Sequence, residues 1–354
     1  MTLRERMLAV YHRKNPDRIP WAAYGMLIPR GKIERELRNS GCGLIEMHSV
    51  YTSKIKNVEI SVKEDWEGNE KVITRTYHTP LGSVSEKVKT DPAYHTSVWR
   101  KEFLIKSPSD YRIVKFIVEN TIYYENYHSF LEARDNLGDD GVILTGMDRT
   151  PWQKMLIELV GVQRLFLDLY DNRYLVEDLL SSLEEKSDEA YKIAASSPAE
   201  VIWAPDNITG DVTEPKLFER YCLPFYMKQG RLLHQQNKAY IVHMDGKLKC
   251  LKNLIKKADI NAVESFTFPE GGGDLPFEEA KTVWKDKSII ANLPAFLCFK
   301  EEKIVKKYII HNFLTQISSK NNFMLEISED LPHKTWRKTL SWVAEVMKKQ
   351  GDLH

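Results

Sequence analysis

The chain reads as an α/β protein: a (β/α)8 TIM barrel with an antiparallel β insertion near its N-terminus. Three observations predict this. About eight short apolar runs are each followed by helical periodicity, and eight such units close a barrel. Beyond residue 140 the connections are short and alternate regularly, as parallel crossovers require. The glycine-rich phosphate turn that favours the rival open sheet, GxGxxG or GxxxxGK[ST], does not occur.

Composition narrows the function classes. At 354 residues, with 42 % apolar and 29 % charged, the chain can build a sizeable core. A net charge of +1 offers nothing to nucleic acid or an anionic membrane through bulk charge. No secretory apolar segment opens the chain, and no run approaches the ~20 apolar residues of a membrane span. Cys42, Cys222, Cys250 and Cys298 form no CxxC pair, which argues against a disulfide framework or zinc knuckle. The expectation is a cytoplasmic enzyme organised as a single domain, 1–354.

Taken in order, residues 2–13 predict a helix with Thr2 and Glu5 as a capping box. Ile19 to Tyr24 is a short buried strand, 31–40 a helix ending at Ser40-Gly41, and Gly43 to His48 the next strand. From 50 to 110 the texture becomes strand-like and partly alternating, at 57–62 and 72–77, with a further hairpin at 79–84. This is the insertion. Val142 to Thr145 is a strand, and Pro151 opens a helix with Trp152, Met155, Leu156 and Leu159 on one face. Apolar runs recur at 201–203, 240–242, 262–266, 288–291 and 322–327, and a last amphipathic helix carries Trp336, Leu340 and Val343.

Polar residues follow these runs: Asp148, Asp206 and Asn207, His243 and Asp245, Glu264, Asn292, then Glu326, Ser328 and Glu329. In a barrel all of them crowd the C-terminal mouth, where catalysis resides. Singly each has an ordinary explanation: Asp245 before Gly246 as a turn residue, Asp206-Asn207 as a helix cap. Their shared placement is the signal. His243 and Asp245, two apart at a strand's end, point together into the mouth. With a later carboxylate they make a candidate zinc site with nitrogen and oxygen donors; the alternative is a hydrogen-bonded pair that shapes the pocket. Trp21, Tyr24, Trp203, Phe266 and Phe268 are candidates for an aromatic wall.

Several stretches resemble the uroporphyrinogen decarboxylase superfamily of TIM barrels. They are Thr79-Pro80-Leu81-Gly82-Ser83, Asp206-Asn207 with Pro215-Lys216-Leu217-Phe218 and Leu223-Pro224, His243-Met244-Asp245-Gly246, and Glu264 with Gly273-Asp274. The decarboxylases of this group grip their substrate with an arginine-rich N-terminal signature. The matching region, Ala23 to Arg30, holds one arginine, whereas a substrate with many carboxylates needs several cations. The other branch implied is that of zinc- and corrinoid-dependent methyltransferases. Its thiol-methylating members hold zinc through His-x-Cys and a later Cys. Here His243 matches the His, Asp245 stands at the first Cys and Glu329 near the second, which trades sulfur for oxygen and hardens the site.

The resemblance therefore implies an O-demethylase methyltransferase acting on a methoxylated aromatic. His243, Asp245 and Glu329 would be the metal ligands. Glu264 and Glu326 would serve as reserve ligands or proton donors. Tyr24, Met147, Asp148, Trp203, Asn207, Phe266 and Asn292 would line the substrate site. The implied partner is a separate corrinoid protein, docking over the mouth against the insertion; a homodimer is also compatible. The second expectation is decarboxylation of a smaller acid, with Asp206 or Asp148 stabilising a protonated ring and Arg30 or Arg149 gripping carboxylate. The third is a non-catalytic barrel that binds a ligand or a corrinoid protein.

Overall fold

A computed structural model describes residues 1–68, 70–90, 98–315 and 322–349. Its fourteen strands are, in chain order, β1 (Trp21–Tyr24), β2 (Cys42–Met47), β3 (Tyr51–Ile55), β4 (Glu59–Glu67), β5 (Glu70–Thr79), β6 (Gly82–Thr90), β7 (Val98–Glu102), β8 (Thr121–Glu125), β9 (Gly141–Gly146), β10 (Val201–Ala204), β11 (Ala239–His243), β12 (Ala262–Phe266), β13 (Ser288–Asn292) and β14 (Phe323–Ile327). Strands β1, β2 and β9 to β14 form a closed barrel in the order β1-β14-β13-β12-β11-β10-β9-β2. All eight pairings are parallel. The expected TIM barrel is therefore present.

The insertion is present too and runs longer than the 50–110 expected. Strands β4 to β7 form a four-stranded antiparallel sheet, while β3 pairs with β8 at 121–125 in a second, two-stranded sheet. Residues 91–97 lie outside the described residues. Among the described residues no helix is long and apolar enough to cross a membrane.

Period-two alternation splits the barrel core into two clusters. Ala22, Ile45, Val142, Leu144, Val201, Ile241, Ala262, Ile290 and Met324 face the axis. Their alternates, such as Trp21, Leu44, Ile143, Ile202, Val242, Val263, Ile289 and Leu325, pack outward beneath the helices. The N-terminal helix Leu3–Tyr11 begins with the capping box read from Thr2 and Glu5. It sends Met7, Val10 and Tyr11 into the axial cluster. The axis is thus packed below, and the polar ends of the strands lie above.

Close strand approach fixes small residues in this wall. A Cβ on Gly141 would sit 1.9 Å from the Leu44 carbonyl oxygen of the neighbouring strand β2, which has no room to yield. Gly141→Ala should therefore destabilise the fold by about 1–3 kcal/mol, as overpacking does. A lowered urea midpoint with an unchanged slope checks this.

Candidate functional site

The inward alternation brings one polar layer to the C-terminal end of the barrel. Tyr24, Trp203, His243, Glu264, Asn292 and Glu326 each follow an axial apolar residue by two positions on β1, β10, β11, β12, β13 and β14. Glu264 is the hub and is fully buried. Its Oε1 accepts from Tyr24 Oη at 2.8 Å. Its Oε2 accepts from Trp203 Nε1 at 2.7 Å and from His243 Nδ1 at 2.7 Å. A carboxylate only accepts, so the proton of that last bond belongs to the imidazole. Burial would raise the Glu264 carboxyl, but the His243 charge and these three bonds outweigh it and hold the group below its ordinary value. Burial would likewise depress His243; Glu264, with help from Asp245, holds it well above the usual imidazole value.

The free face of the ring turns to the mouth. His243 Nε2 lies 3.6 Å from Asp245 Oδ2. Asp245 also accepts from Asn207 Nδ2 at 3.0 Å, and Arg149 Nη1 donates to Asn207 Oδ1 at 2.6 Å. Arg149 is itself tied to the Pro205 carbonyl and to Glu158. Asn207 occupies the left-handed region at φ 49°, a conformation Asn tolerates better than most residues.

Two more carboxyls complete the cluster. Glu326 is fully buried beside Glu264. Burial and the Glu264 charge push it well above the usual carboxyl range, against the pull of His243, and so favour its neutral form. Tyr11, rising from the N-terminal helix, also buries an unpartnered hydroxyl and feels both Glu326 and Glu264. Glu329 is raised by burial and by Asp245, with Asn292 and His243 pulling the other way. Asn292 Oδ1 accepts from Ser328 Oγ at 3.2 Å.

Not every candidate lies here. Phe266 was expected in the aromatic wall and instead packs outward against Trp284 and Phe268. The cause is local: Ser265 takes φ 60°, and the register with β13 shifts between Val263 and Phe266. This irregularity turns Phe266 off the axis. Trp21 and Phe268 belong to the outer core as well, as does Met147, expected at the substrate. Of the proposed wall, Tyr24 and Trp203 face the axis, with ring centroids 6.5 Å apart and edge-on. Asp206 accepts from the Thr150 backbone N–H at 2.8 Å and from Tyr226 Oη at 2.6 Å. One oxygen thus pins the start of the Pro151 helix and the other the helix Leu223–Gln235 that carries Tyr226. Asp148 pairs with Lys154 at 2.7 Å on the surface. Tyr11 and the Arg149–Asn207 link were not foreseen at this site. The apolar spacing of Met7, Val10 and Tyr11 was the available signal for the first.

Among the described residues no three His, Cys, Asp or Glu side chains are gathered as they stand into a metal-holding group. The chemistry of the cluster nonetheless suits a cation. Glu264 bonds one imidazole nitrogen, Asp245 lies 3.6 Å from the other, and Glu326 and Glu329 both feel the His243 charge. Glu264 orients His243 through Nδ1 and leaves Nε2 outward, the carboxylate–histidine arrangement that backs metal ligands.

The uroporphyrinogen decarboxylase (URO-D) family model matches residues 102–350, well over half of the sequence. The chain belongs to this family. In fold it is similar to a methyltransferase from Methanosarcina mazei, with a TM-score of 0.59 and 13 % identity over 99 % of both chains. A looser likeness is to a xylose isomerase domain protein from Planctomyces limnophilus, with a TM-score of 0.40 and 10 % identity over 95 % of this chain and 99 % of that one. Among curated proteins none matches the chain in sequence.

A buried carboxyl raised like that of Glu326 leaves a thermodynamic trace. Because the folded-state value of Glu326 is raised, its proton is bound more tightly folded than unfolded. That contribution is complete below the unfolded value of about 4.3 and is lost as pH rises through the folded value. Glu326→Gln removes the dependence. Its denaturation midpoint should decline less from pH 4.5 to 8 than that of the parent chain; parallel curves would place the Glu326 carboxyl in ordinary surroundings.

Proposed function

We propose that this member of the uroporphyrinogen decarboxylase family is a zinc-dependent methyltransferase. It would move a methyl group from a small methoxylated substrate, an aromatic one by the character of the site, to the Co(I) corrinoid of a separate protein. The observation that carries this reading is the buried His243–Glu264 pair, with Glu326 buried beside Glu264 and with Asp245 and Glu329 near the imidazole. The fold likeness to a methyltransferase is consistent with it.

His243 Nε2, Asp245 and Glu329 would hold the zinc, a hard donor set suited to an oxygen-bearing substrate. When bound, zinc would supply Lewis-acid polarisation of the ether oxygen, and the partner's corrinoid would accept the methyl group. The chain's own residues do the rest. Trp203, half-buried at the rim, offers an aromatic face to an aryl ring, with Tyr24 behind it. Glu264 fixes the ring plane and tautomer of His243. Aryl oxide is a poor leaving group, and Glu326, whose surroundings favour its protonated form, would be the acid that relieves the charge developing on its oxygen as the methyl–oxygen bond breaks.

Decarboxylation is less well supported. Arg30 is paired with Glu46, and Arg149 is committed to Glu158, Pro205 and Asn207, so the two cations considered for carboxylate binding already have partners.

Metal content by mass spectrometry, together with methyl transfer from a panel of methoxylated aromatics to a reduced corrinoid protein, tests the proposal. The expectation is about one zinc per chain. Loss of the His243 imidazole (His243→Ala) should abolish both zinc and transfer. Glu329→Ala should lower zinc occupancy and cut the rate at least tenfold, the scale on which ligand-shell changes act. Full zinc in Glu329→Ala would remove that residue from the ligand set. An active, metal-free protein releasing carbon dioxide from a carboxylic acid would overturn the assignment.

A further inference from the structure

Val162–Asp171 is a surface helix whose outer side is as apolar as its inner one. A helix that is apolar all round is ordinarily a buried helix. Leu165 and Leu169 turn inward to the outer core of the barrel. Val162, Phe166 and Tyr170, four residues apart, form a ridge on the outer side, with Leu167 beside it. Tyr174 stands just beyond, in the first turn of the next helix, Arg173–Ser196. In that order the five side chains belong to residues 47, 37, 90, 53 and 72 % exposed. An aromatic side chain carries about 200 Å², so the three rings alone leave on the order of 400 Å² in water.

Charge decides what suits this face. Over residues 162–170 the exposed positions are Val162, Gln163, Phe166, Leu167 and Tyr170, and none is charged, in a chain with 29 % charged residues. The two charges of that stretch cancel within the helix, where Arg164 donates to both oxygens of Asp168 at 2.7 Å. The next exposed charges, Asp171 and Arg173, come at the end of the ridge and are opposite in sign. The insertion differs: Val62 and Trp66 on β4 are also exposed, but Lys63, Glu64 and Asp65 stand between them. A different protein is ordinarily selected through complementary charge, and the ridge offers none. A second copy related by a two-fold axis meets the same face, uncharged against uncharged, with no like charges to oppose it.

We propose that Val162, Phe166 and Tyr170, with Leu167 and Tyr174, form the core of a two-fold interface between two copies of this chain. Ridges of this four-residue spacing interdigitate in the commonest class of helix packing. The area agrees. A standard interface takes about 800 Å² from each partner, a little over half of it non-polar. The three rings, with Val162 and Leu167 added, supply that non-polar share. Asp171 and Arg173 would belong to the polar rim that surrounds such a core. No residue of the ridge belongs to the proposed methyl-transfer centre, so either assignment can fail without the other.

Sedimentation equilibrium of the full chain at micromolar concentration tests it. The expected mass is that of two chains. Tyr170→Glu/Tyr174→Glu changes two side chains exposed enough to spare the fold and brings carboxylates of both copies into the contact. It should weaken association at least about a hundredfold, the scale on which interface hot spots act, while its circular dichroism stays that of the parent. Leu167→Gln, a milder change on the same ridge, should weaken association too. Trp66→Glu, at an exposed aromatic on β4, should leave the dimer intact. A monomeric parent chain would overturn the proposal and return the face to a different partner. So would a dimer that the ridge variants leave intact, or one that Trp66→Glu dissolves as fully.

Discussion

The candidate site depends on one buried carboxylate. Glu264 sits fully enclosed among apolar strands, where an unpaired charge would be prohibitive. Three donors from three other strands, Tyr24, Trp203 and His243, make it tolerable. The dependence runs both ways. Glu264 gives the Trp203 indole and the Tyr24 hydroxyl their buried partner, fixes the His243 ring, and adds its charge to the burial that raises the Glu326 carboxyl. Removing that charge would leave several groups short of a partner at once, which is why buried networks are not sums of pairs.

Much of this was legible in the sequence because a barrel converts strand period directly into position. Tyr24, Trp203, His243, Glu264, Asn292 and Glu326 each end an apolar run, and each lies in the layer that the end of such a run implies. The exceptions have identifiable physics. Phe266 follows Glu264 by two and would share its face, but the left-handed Ser265 breaks the alternation. A serine carries no glycine-like warning of such a bulge. Asp206 has the look of a mouth acid, yet its two oxygens serve a backbone N–H and a tyrosine. Its partners, Thr150 and Tyr226, are 56 and 20 residues away, beyond what local pattern can show. Tyr11 was legible as part of a helix face but not as a group reaching the axis beneath Glu326, since helix-to-barrel docking leaves no periodic trace.

The mouth collects carboxyls around one imidazole. A net charge of +1 does not show such a cluster, so bulk composition excluded partners that act through the whole field but said nothing of local sites. The apolar plug of Met7, Val10 and Tyr11 closes the barrel beneath this layer. It keeps the carboxyl layer in a low dielectric, and there the pairing of Glu264 with His243 is strong enough to set protonation states.

The account rests on Glu264 holding His243 in the orientation a metal needs, and zinc affinity measured by chelator competition on Glu264→Gln tests this most directly. The prediction is a 10–100-fold weaker affinity in a chain that keeps its fold, the usual effect of losing the carboxylate behind a ligating imidazole. An affinity equal to that of the parent chain would contradict the claim that this buried carboxylate organises the mouth.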